Sequence, residues 1–481
     1  MSGSSFLQNF LNSVTVTADI LSKRTFFVAP IAGKTLYMKH TIGNSEYSLD
    51  YLPHMNRLKT GVVALTVLIG TLLASFAVPP VKAQTVGSPV QVATSGSINA
   101  TLGIPRWKGY MLESNPDRFW LTYANTGTSS GTMNFTTDGG ATWSSNVMQV
   151  YNNGWTDYHL SIFGRNGNIY ASFPASEGNC FRHFSPPADD NADRGPLRVI
   201  ANTAVQHRSN VMAQDNGRVW VFTRRGSSPS ENVLYHYTDN DGASWTNGTA
   251  WATNASNVRI GSMPYINGNP ALVVLHLDDN RGYEYYMWNG SSFEARPDHS
   301  IWAQNMGQTR VFTHQVVSDT VFHLVFGLGT ELHHVWKYYN GGTGSWNHQV
   351  IETSTNTVDS YWLPSATVQG DDLYLFFCMR STSSESSSQI YYKKWSQNSE
   401  SWTSPVLVST QAGSSANLDP NTCFSVPVSS DYIPVFWAAN GTIYFNKINV
   451  TGGGPTDTIP PAQIDDLDAA TGSAPGEIDV S

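Results

Sequence analysis

Arginine and tyrosine recur at a nearly constant spacing through the middle of the chain. Tyr158, Arg208, Arg259, Arg310 and Tyr361 are separated by 50, 51, 51 and 51 residues. A planar guanidinium binds a carboxylate or a sulfate through two parallel hydrogen bonds. A phenol beside such a cation has a lowered pKa and is suited to proton transfer. The spacing therefore predicts a site in which a repeated unit gathers cations and phenols around an anionic ligand.

Histidines and tryptophans stand directly beside this series in the sequence. We predict that four side chains transfer protons and five bind the substrate: Tyr158, His159, His207 and Tyr361 for proton transfer, and Arg106, Arg208, Arg259, Arg310 and Trp362 for binding. Trp107 and Trp155 are further candidates for stacking on sugar rings. The alternative is structural, with each arginine paired to an acidic residue of a neighbouring unit and the tryptophans packed in the interior.

The sequence predicts neither a metal centre nor a cofactor. Its three cysteines, Cys180, Cys378 and Cys423, lack the CxxC or Cys/His spacing of a structural zinc site. They are too few for a disulfide framework, so we expect buried small apolar side chains. Asn240 and Asp241 lie in a short acidic stretch without EF-hand spacing, which favours a turn over a calcium site.

Seven short apolar and aromatic motifs, each preceded by a Gly or Asp turn, recur along the chain. The turns fall at Asp117, Gly167, Gly217, Gly268, Asp319, Gly370 and Asp431, with spacings of 50, 50, 51, 51, 51 and 61 residues. The motifs that follow them, called second-strand motifs below, are Phe119–Thr122, Ile169–Ser172, Val219–Phe222, Ala271–Val274, Val321–Leu324, Leu373–Phe376 and Ile433–Phe436. A repeat of about fifty residues built from short strands is typical of a β-propeller.

We therefore predict an all-β fold, a seven-bladed β-propeller of four-stranded antiparallel blades. Residues 89–95 resemble residues 405–410, which end the sixth repeat. The simplest explanation is that the N-terminal strand completes blade seven and closes the ring, which removes an exposed edge.

Composition supports this fold class and argues against several functions. Charged residues make up 13% of the chain, about half the usual share, while aromatic residues make up 12%. Removing the seven Lys/Arg and three Asp/Glu of residues 1–83 leaves 20 basic and 33 acidic residues, a net charge of −13. Such a charge argues against nucleic-acid binding, which needs a broad basic face.

The N-terminal region has the pattern of an export signal. Arg57 and Lys59 precede an apolar run over residues 61–78, and a Val-x-Ala cleavage site ends at Ala83. We predict a non-native upstream extension over residues 1–54, a signal peptide over residues 55–83 that starts at Met55, and a secreted or cell-surface protein. A membrane anchor is the alternative, since eighteen residues just span a bilayer. Residues 87–450 form the predicted propeller, and residues 451–458 form a linker.

Two turns resemble the Asp-box of the sialidase-like β-propeller superfamily. Thr136–Trp143 matches the pattern S/T-x-D-x-G-x-T/S-W, and Thr238–Trp245 is a second copy with Asn240 at the Asp position. In such a turn the Asp accepts backbone N–H groups, a Gly takes a left-handed conformation and the Trp packs into the blade. The resemblance covers roughly residues 87–450, while residues 459–481 resemble the truncated start of a fibronectin type III module.

The resemblance implies that the Arg and Tyr series lines the mouth of a central channel. Sialidases use three arginines, a tyrosine nucleophile assisted by a glutamate, and an aspartic acid. Arg259, Arg310 and Tyr361 occur in that order here, with Glu294 before Arg310. The departures are seven blades in place of six and Ile104-Pro105-Arg106 in place of the family's Arg-Ile-Pro.

Three functions remain open from the sequence. A seven-bladed polysaccharide lyase, such as those acting on ulvan, uses Arg against a uronate carboxylate and His or Tyr for proton transfer. A glycosidase of the sialidase type is the second enzyme, and a non-catalytic glycan- or protein-binding module is the alternative to both. We expect an acidic polysaccharide or glycan as partner, no nucleic acid, membrane contact only through an uncleaved signal segment, and a monomer.

Overall fold

A computed structural model describes most of the chain between residues 84 and 450. Backbone and side chains are described for residues 84–94, 101, 107–125, 130–144, 148–152, 160–175, 177–200, 209–224, 232–249, 258–263, 266, 268–276, 281–295, 299–303, 312–318, 320–339, 345–354, 362–380, 387–397, 399–410 and 417–450. Backbone strands alone are described at residues 201, 225, 250–252, 264–265 and 296–298 and in the terminal regions. The chain divides into two compact units, Met1–Val81 and Lys82–Ser481.

The first unit contains one antiparallel sheet. Its strands, in the order β1-β2-β3, are β1 (Thr15–Asp19), β2 (Arg24–Ile31) and β3 (Lys34–Thr41). The predicted signal peptide, residues 55–83, lies outside the described residues. Among the residues that are described, no helix has the length and apolar character needed to cross a bilayer.

The second unit begins with two short strands, followed by the first three blades. The two strands are β4 (Thr85–Val86) and β5 (Val90–Thr94). Blade 1 consists of β6 (Gly109–Leu112), β7 (Asn115–Asn125), β8 (Ser130–Thr136) and β9 (Met148–Asn152). Blade 2 consists of β10 (Ser161–Arg165), β11 (Asn168–Ala175), β12 (Gly178–Phe184) and β13 (Arg198–Ala201). Blade 3 consists of β14 (Ser209–Ala213), β15 (Val219–Arg225), β16 (Asn232–Thr238) and β17 (Thr246–Ala252).

The next four blades complete the ring. Blade 4 consists of β18 (Val258–Ile266), β19 (Asn269–His276), β20 (Tyr283–Trp288) and β21 (Phe293–Trp302). Blade 5 consists of β22 (Phe312–Val317), β23 (Val321–Leu328), β24 (Glu331–Tyr338) and β25 (Asn347–Thr353). Blade 6 consists of β26 (Ser365–Gln369), β27 (Asp372–Arg380), β28 (Ser388–Ser396), β29 (Ser401–Trp402) and β30 (Val406–Leu407). Blade 7 consists of β31 (Asn417–Asn421), β32 (Tyr432–Ala439) and β33 (Thr442–Asn449), with β4 and β5 outermost.

The predicted fold class is confirmed. All seven blades are antiparallel, and every second-strand motif lies in the second strand of its blade. The ring closes as predicted, because β5 pairs with β33 while β30 holds the corresponding outer position in blade 6. One turn is placed differently, because Leu112 pairs with Asn115 and the chain of blade 1 reverses there, ahead of Asp117.

The interior is formed by apolar side chains that neighbouring blades share. One cluster, for example, combines Phe119 of blade 1, Phe376 of blade 6 and Phe436 of blade 7. A single blade cannot cover both of its faces, so the neighbouring blades stabilise each other. The three cysteines are buried and unpaired, as the sequence predicts.

The turns at Thr136–Trp143 and Thr238–Trp245 are each held by a hydrogen bond from a backbone N–H to a side-chain oxygen. The Asp138 carboxylate accepts from the backbone N–H of Thr142 at 2.9 Å, and Gly140 takes a φ of +89°. Burial acts to raise the pKa of Asp138, but hydrogen bonds from Thr142 and Thr136 outweigh it and lower that pKa to about 2. The indole of Trp143 packs against Phe445 of blade 7 with ring centroids 5.1 Å apart. These turns therefore join one blade to the next.

Outside the blades, little regular structure is described. The described segments contain one short 3-10 helix, Asn191–Asp193, capped by Asp190. Beyond the propeller, β34 (Ala469–Thr471) pairs with β35 (Ile478–Val480). The predicted linker and the remainder of the fibronectin-like segment lie outside the described residues.

Candidate functional site

A ring of mostly polar residues surrounds the central channel. Cross-strand pairing defines one equivalent position in each innermost strand, opposite the last residue of the second-strand motif. These seven residues, called the belt below, are Lys108, Ser161, Asn210, Ile260, His314, Ser365 and Asn421. Each belt residue is at most 6% exposed. This ring was not predicted from the sequence, because its members are recognised as equivalent only once the pairing register of each innermost strand is known.

Hydrogen bonds run along the belt from blade 2 to blade 5. Asn210 Oδ1 accepts from Ser161 Oγ at 3.4 Å and from Ser262 Oγ at 3.0 Å. Asn210 Nδ2 donates to Ile260 O at 3.2 Å, and His314 Nε2 donates to Ser262 O at 2.9 Å. Buried polar groups are stable when they are satisfied in this way. One amide, that of Asn210, therefore joins blades 2, 3 and 4.

The remaining contacts complete the ring of hydrogen bonds. They join blade 5 to blade 6 (Ala366 N to Thr313 Oγ1, 3.2 Å), blade 6 to blade 7 (Val426 N to Val368 O, 2.8 Å), blade 7 to blade 1 (Lys108 N to Asn421 Oδ1, 2.8 Å) and blade 1 to blade 2 (Ile162 N to Trp107 O, 3.1 Å). The belt therefore fixes the innermost strands relative to one another.

Side chains close the channel at the level of the belt. Trp107 Nε1 donates across the channel to Ala366 O at 3.1 Å. The Trp107 ring lies 4.9 Å from that of Phe424 and 5.0 Å from that of His314. Gln315 Nε2 donates to the carbonyl oxygens of Ala366 and Phe424 at 2.9 and 2.7 Å. We call these side chains, which fill the channel at this level, the throat.

Two residues of the predicted site are described. Arg259 is the second residue of β18, directly before the belt residue Ile260, and is 6% exposed. Trp362 is 1% exposed, and its ring packs 6.0 Å from that of Phe377 and over Gly327, which has no side chain to obstruct it. Of the two interpretations of the tryptophans, the structure shows interior packing for Trp362, as it does for Trp107.

The other predicted residues lie outside the described residues: Tyr158, His159, His207, Tyr361, Arg106, Arg208 and Arg310, with Trp155. Counting along the chain to the belt residue gives three residues for Tyr158, two for Arg208, one for Arg259, four for Arg310 and four for Tyr361. These counts differ from blade to blade, and the expectation that the residues line one mouth stays a prediction. Turns between first and second strands differ in length, so a fixed count back from the turn does not keep the pairing register.

A cluster of titratable side chains lies at the same end of blade 4 as Arg259. We call this end of the blades, where the innermost strands begin, the upper rim. The Glu284 carboxylate is buried and accepts from Tyr286 Oη at 2.6 Å, with His276 Nε2 at 3.1 Å and His299 Nε2 at 3.6 Å. Burial acts to raise the pKa of Glu284, but hydrogen bonds from His276 and Tyr286 outweigh it, and that pKa is lowered. The carboxylate is therefore ionised and firmly held.

Glu294 has no part in this cluster. It pairs with Met287 beside the hairpin that joins β20 to β21, at the end of blade 4 opposite Arg259. The sialidase order of residues, in which a glutamate before the second arginine assists a tyrosine, therefore does not place Glu294 near the upper rim.

A cavity of about 70 Å³ lies at the other end of the channel, between blades 1, 2 and 7, and it is lined by Tyr110, Glu113, Phe163 and Phe424 among others. This volume admits a few waters. Among the residues whose positions are described, no three or more His, Cys, Asp or Glu side chains are grouped so as to hold a metal ion.

Known proteins similar to this chain were found only by comparison of structures. No protein-family model matches the sequence, and no curated protein matches it. A polysaccharide lyase described as an ulvan lyase is similar over 76% of this chain and 96% of its own, at 10% identity and a TM-score of 0.49. The NanB sialidase of Streptococcus pneumoniae is similar over 92% and 84%, at 10% identity and a TM-score of 0.40. A fungal alcohol oxidase is similar over 76% of each chain, at 11% identity and a TM-score of 0.44. Similarities this distant assign no activity.

Proposed function

We propose that this chain is an exported propeller that binds an acidic glycan at the upper rim of blades 3 to 5 and cleaves it by elimination. The observation that supports the proposal is the position of three arginines relative to the belt. Arg208, Arg259 and Arg310 precede the belt residues of three successive blades by two, one and four residues.

Charge makes this grouping distinctive. The chain is acidic, with a net charge of −9, and binding of a polyanion requires a local excess of cations. At the opposite end of blade 3, Arg218 pairs with Asp239 at 2.7 Å. In this proposal the guanidiniums of Arg208, Arg259 and Arg310 bind a carboxylate or sulfate of the glycan chain.

Elimination uses the types of side chain that accompany these arginines. An arginine that neutralises a uronate carboxylate makes the C5 proton more acidic. A base removes that proton, the C4–O bond breaks, a C4–C5 double bond forms, and an acid protonates the leaving oxygen. His207 stands beside Arg208, and Tyr158, His159 and Tyr361 lie within four residues of belt positions in blades 2 and 6. We assign the proton transfers to this group.

A binding module without catalysis is the second candidate. The interior packing of Trp107 and Trp362 favours it, because neither ring presents a face on which a sugar stacks. In this case the arginines bind the glycan or an acidic protein surface, and the propeller acts as a recognition domain of a larger extracellular protein.

The decisive experiment compares two of the proposed glycan-binding arginines with one at the opposite end of blade 3. Arg208→Gln and Arg310→Gln remove cations of the upper rim, whereas Arg218→Gln removes one from the opposite end and serves as the matched control. We expect binding of a uronate-containing or sulfated glycan to fall at least tenfold in each upper-rim variant, to weaken with added salt, and to remain in the control. Equal binding in all three variants would refute the proposed site.

Catalysis is measured on the same proteins. New ultraviolet absorbance from unsaturated uronides supports elimination, and release of reducing sugar without absorbance assigns a hydrolase. Retained glycan without either signal assigns the binding module.

Export is tested separately by expressing the chain from Met55 and determining where the mature protein begins.

A further inference from the structure

Gln84 is held by two tyrosines of blade 6. Its carboxamide Nε2 donates to Tyr374 Oη at 3.1 Å, and its Oε1 accepts from Tyr392 Oη at 3.2 Å. Burial raises the pKa of both phenols, with the charge of Asp372 adding to the effect on Tyr374, so both carry their protons at neutral pH. Each polar atom of the carboxamide therefore has a neutral phenolic partner.

The backbone that follows Gln84 is attached to blade 7. Thr85 pairs with Asn449 and Val86 with Ile448 in β33, and the Gly87 N–H donates to a carbonyl oxygen of β33 at 2.9 Å. The backbone is thus held by blade 7, while the side chain of Gln84 reaches blade 6. This arrangement, called the Gln84 clasp below, joins two neighbouring blades at the point where the ring closes.

Cleavage of the predicted signal after Ala83 makes Gln84 the first residue of the exported chain. An N-terminal glutamine is chemically unstable. Its α-amine attacks the side-chain Cδ, an N–Cδ bond forms, the Cδ–Nε2 bond breaks, and the nitrogen leaves as ammonia with a proton from the amine. The product is a cyclic lactam that has lost the Nε2 donor, and with it the bond to Tyr374.

We propose that Gln84 is an N-terminal modification site whose cyclisation is controlled by closure of the propeller: the Gln84 clasp holds the carboxamide to Tyr374 and Tyr392 and thereby protects it. Cyclisation requires the side chain to leave both phenols and bend back to its own amine. The reaction therefore proceeds readily in the unfolded or open chain and slowly in the closed ring. This inference rests on the proposed export, because the free amine at Gln84 exists only after cleavage.

The test measures ammonia loss by intact mass. The 481-residue chain, carrying a specific protease site inserted directly before Gln84, is cut, and its mass is followed at neutral pH in buffer and in urea. Two hydrogen bonds of ordinary strength slow the folded protein about 30-fold relative to the urea sample, and each bond accounts for about fivefold. Tyr374→Phe and Tyr392→Phe should each restore about fivefold of the rate. Tyr444→Phe in β33, a tyrosine outside the clasp, should restore none.

The outcomes separate the clasp from the export proposal. Equal cyclisation rates in the folded and urea samples, or equal rates in all three variants, would overturn the clasp. An exported protein whose first residue is not Gln84 would overturn the assignment of Gln84 as the natural N-terminus. The protease-released chain would still report on the clasp in that case. An exported chain that begins at an uncyclised Gln84, together with slow cyclisation after protease cleavage, supports both.

Discussion

Replacing His323 by asparagine tests whether buried histidines make the propeller sensitive to acid. His323 Nδ1 lies 3.0 Å from His334 Nε2, and its ring packs 4.6 Å from Trp395 of blade 6. His334 Nδ1 accepts from Trp402 Nε1 at 3.1 Å and from Gln349 Nε2 at 3.2 Å. The proton of neutral His334 must therefore sit on Nε2, from which it is donated to His323. A second proton on either ring would break one of these hydrogen bonds.

The magnitude follows from the difference between the folded and unfolded pKa. Burial lowers the pKa of His323 to about 3, against about 6.5 in an unfolded chain. Between these two pH values, His323 therefore binds a proton in the unfolded chain but not in the folded chain. The contribution of His323 to the free energy of unfolding is fully present above about pH 6.5. It is lost as the pH falls from there towards about 3. At about pH 4.5 this one group has removed about 2 to 3 kcal/mol from the free energy of unfolding.

Asparagine keeps an acceptor near the position of Nδ1 and does not titrate. We expect His323→Asn to lose about 2 to 3 kcal/mol less than the wild type between about pH 7.5 and about pH 4.5, whatever its stability at neutral pH. Urea unfolding followed by tryptophan fluorescence measures this. The control is Leu324→Val in the same strand, which should lower stability equally at both pH values. If His323→Asn and the wild type lose the same free energy, the folded protein accepts a proton at His323 and the reasoning is refuted.

Three further substitutions test the belt and the turns. Asn210→Ala should cost about 2 to 3 kcal/mol in urea unfolding, because three interblade hydrogen bonds of this amide disappear. Gly140→Ala should cost at least about 3 kcal/mol, because its Cβ would lie 2.1 Å from the Phe445 ring at a φ of +89°. Gly217→Ala, at a φ of +85° with no atom within 4 Å of the new Cβ, should cost about 1 kcal/mol and isolates the backbone strain. Equal costs for the two glycines would show that the clash with Phe445 is relieved.

The repeat was predictable because each blade carries its own local signal. A turn followed by an apolar motif such as Val219–Phe222 occurs in every blade. Counting these repeats along the sequence therefore gives the number of blades. Ring closure was predictable for the same reason, since residues 89–95 copy the pattern of an outer strand. These features depend on short stretches of chain, and no long-range register is needed to recognise them.

The site was less predictable because it depends on register between strands. The turn of blade 1 falls before Asn115, whereas blade 7 runs from Asn421 to Tyr432 before its second strand begins. A count from the turn therefore misses the belt by one to four residues in blades 2 to 6, and an odd error reverses the face to which a side chain points. The Glu284 cluster was missed for a related reason. Its partner His299 belongs to a bulged stretch of β21, where the pairing with β20 shifts.

The closed throat limits the ways in which a polymeric ligand can bind to this protein. Trp107 bonds across the channel to Ala366, and Gln315 and Phe424 fill the space beside it. In the proposed function, a glycan chain therefore does not thread through the ring but lies across the upper rim and continues on both sides of the arginines. A polymer bound in this way is cut at internal bonds. The proposed elimination should consequently lower the viscosity of a polyuronate solution early, before short products accumulate. Accumulation of short products while the viscosity stays high would mean that the ligand binds by its end, and the reasoning from the closed throat would then fail.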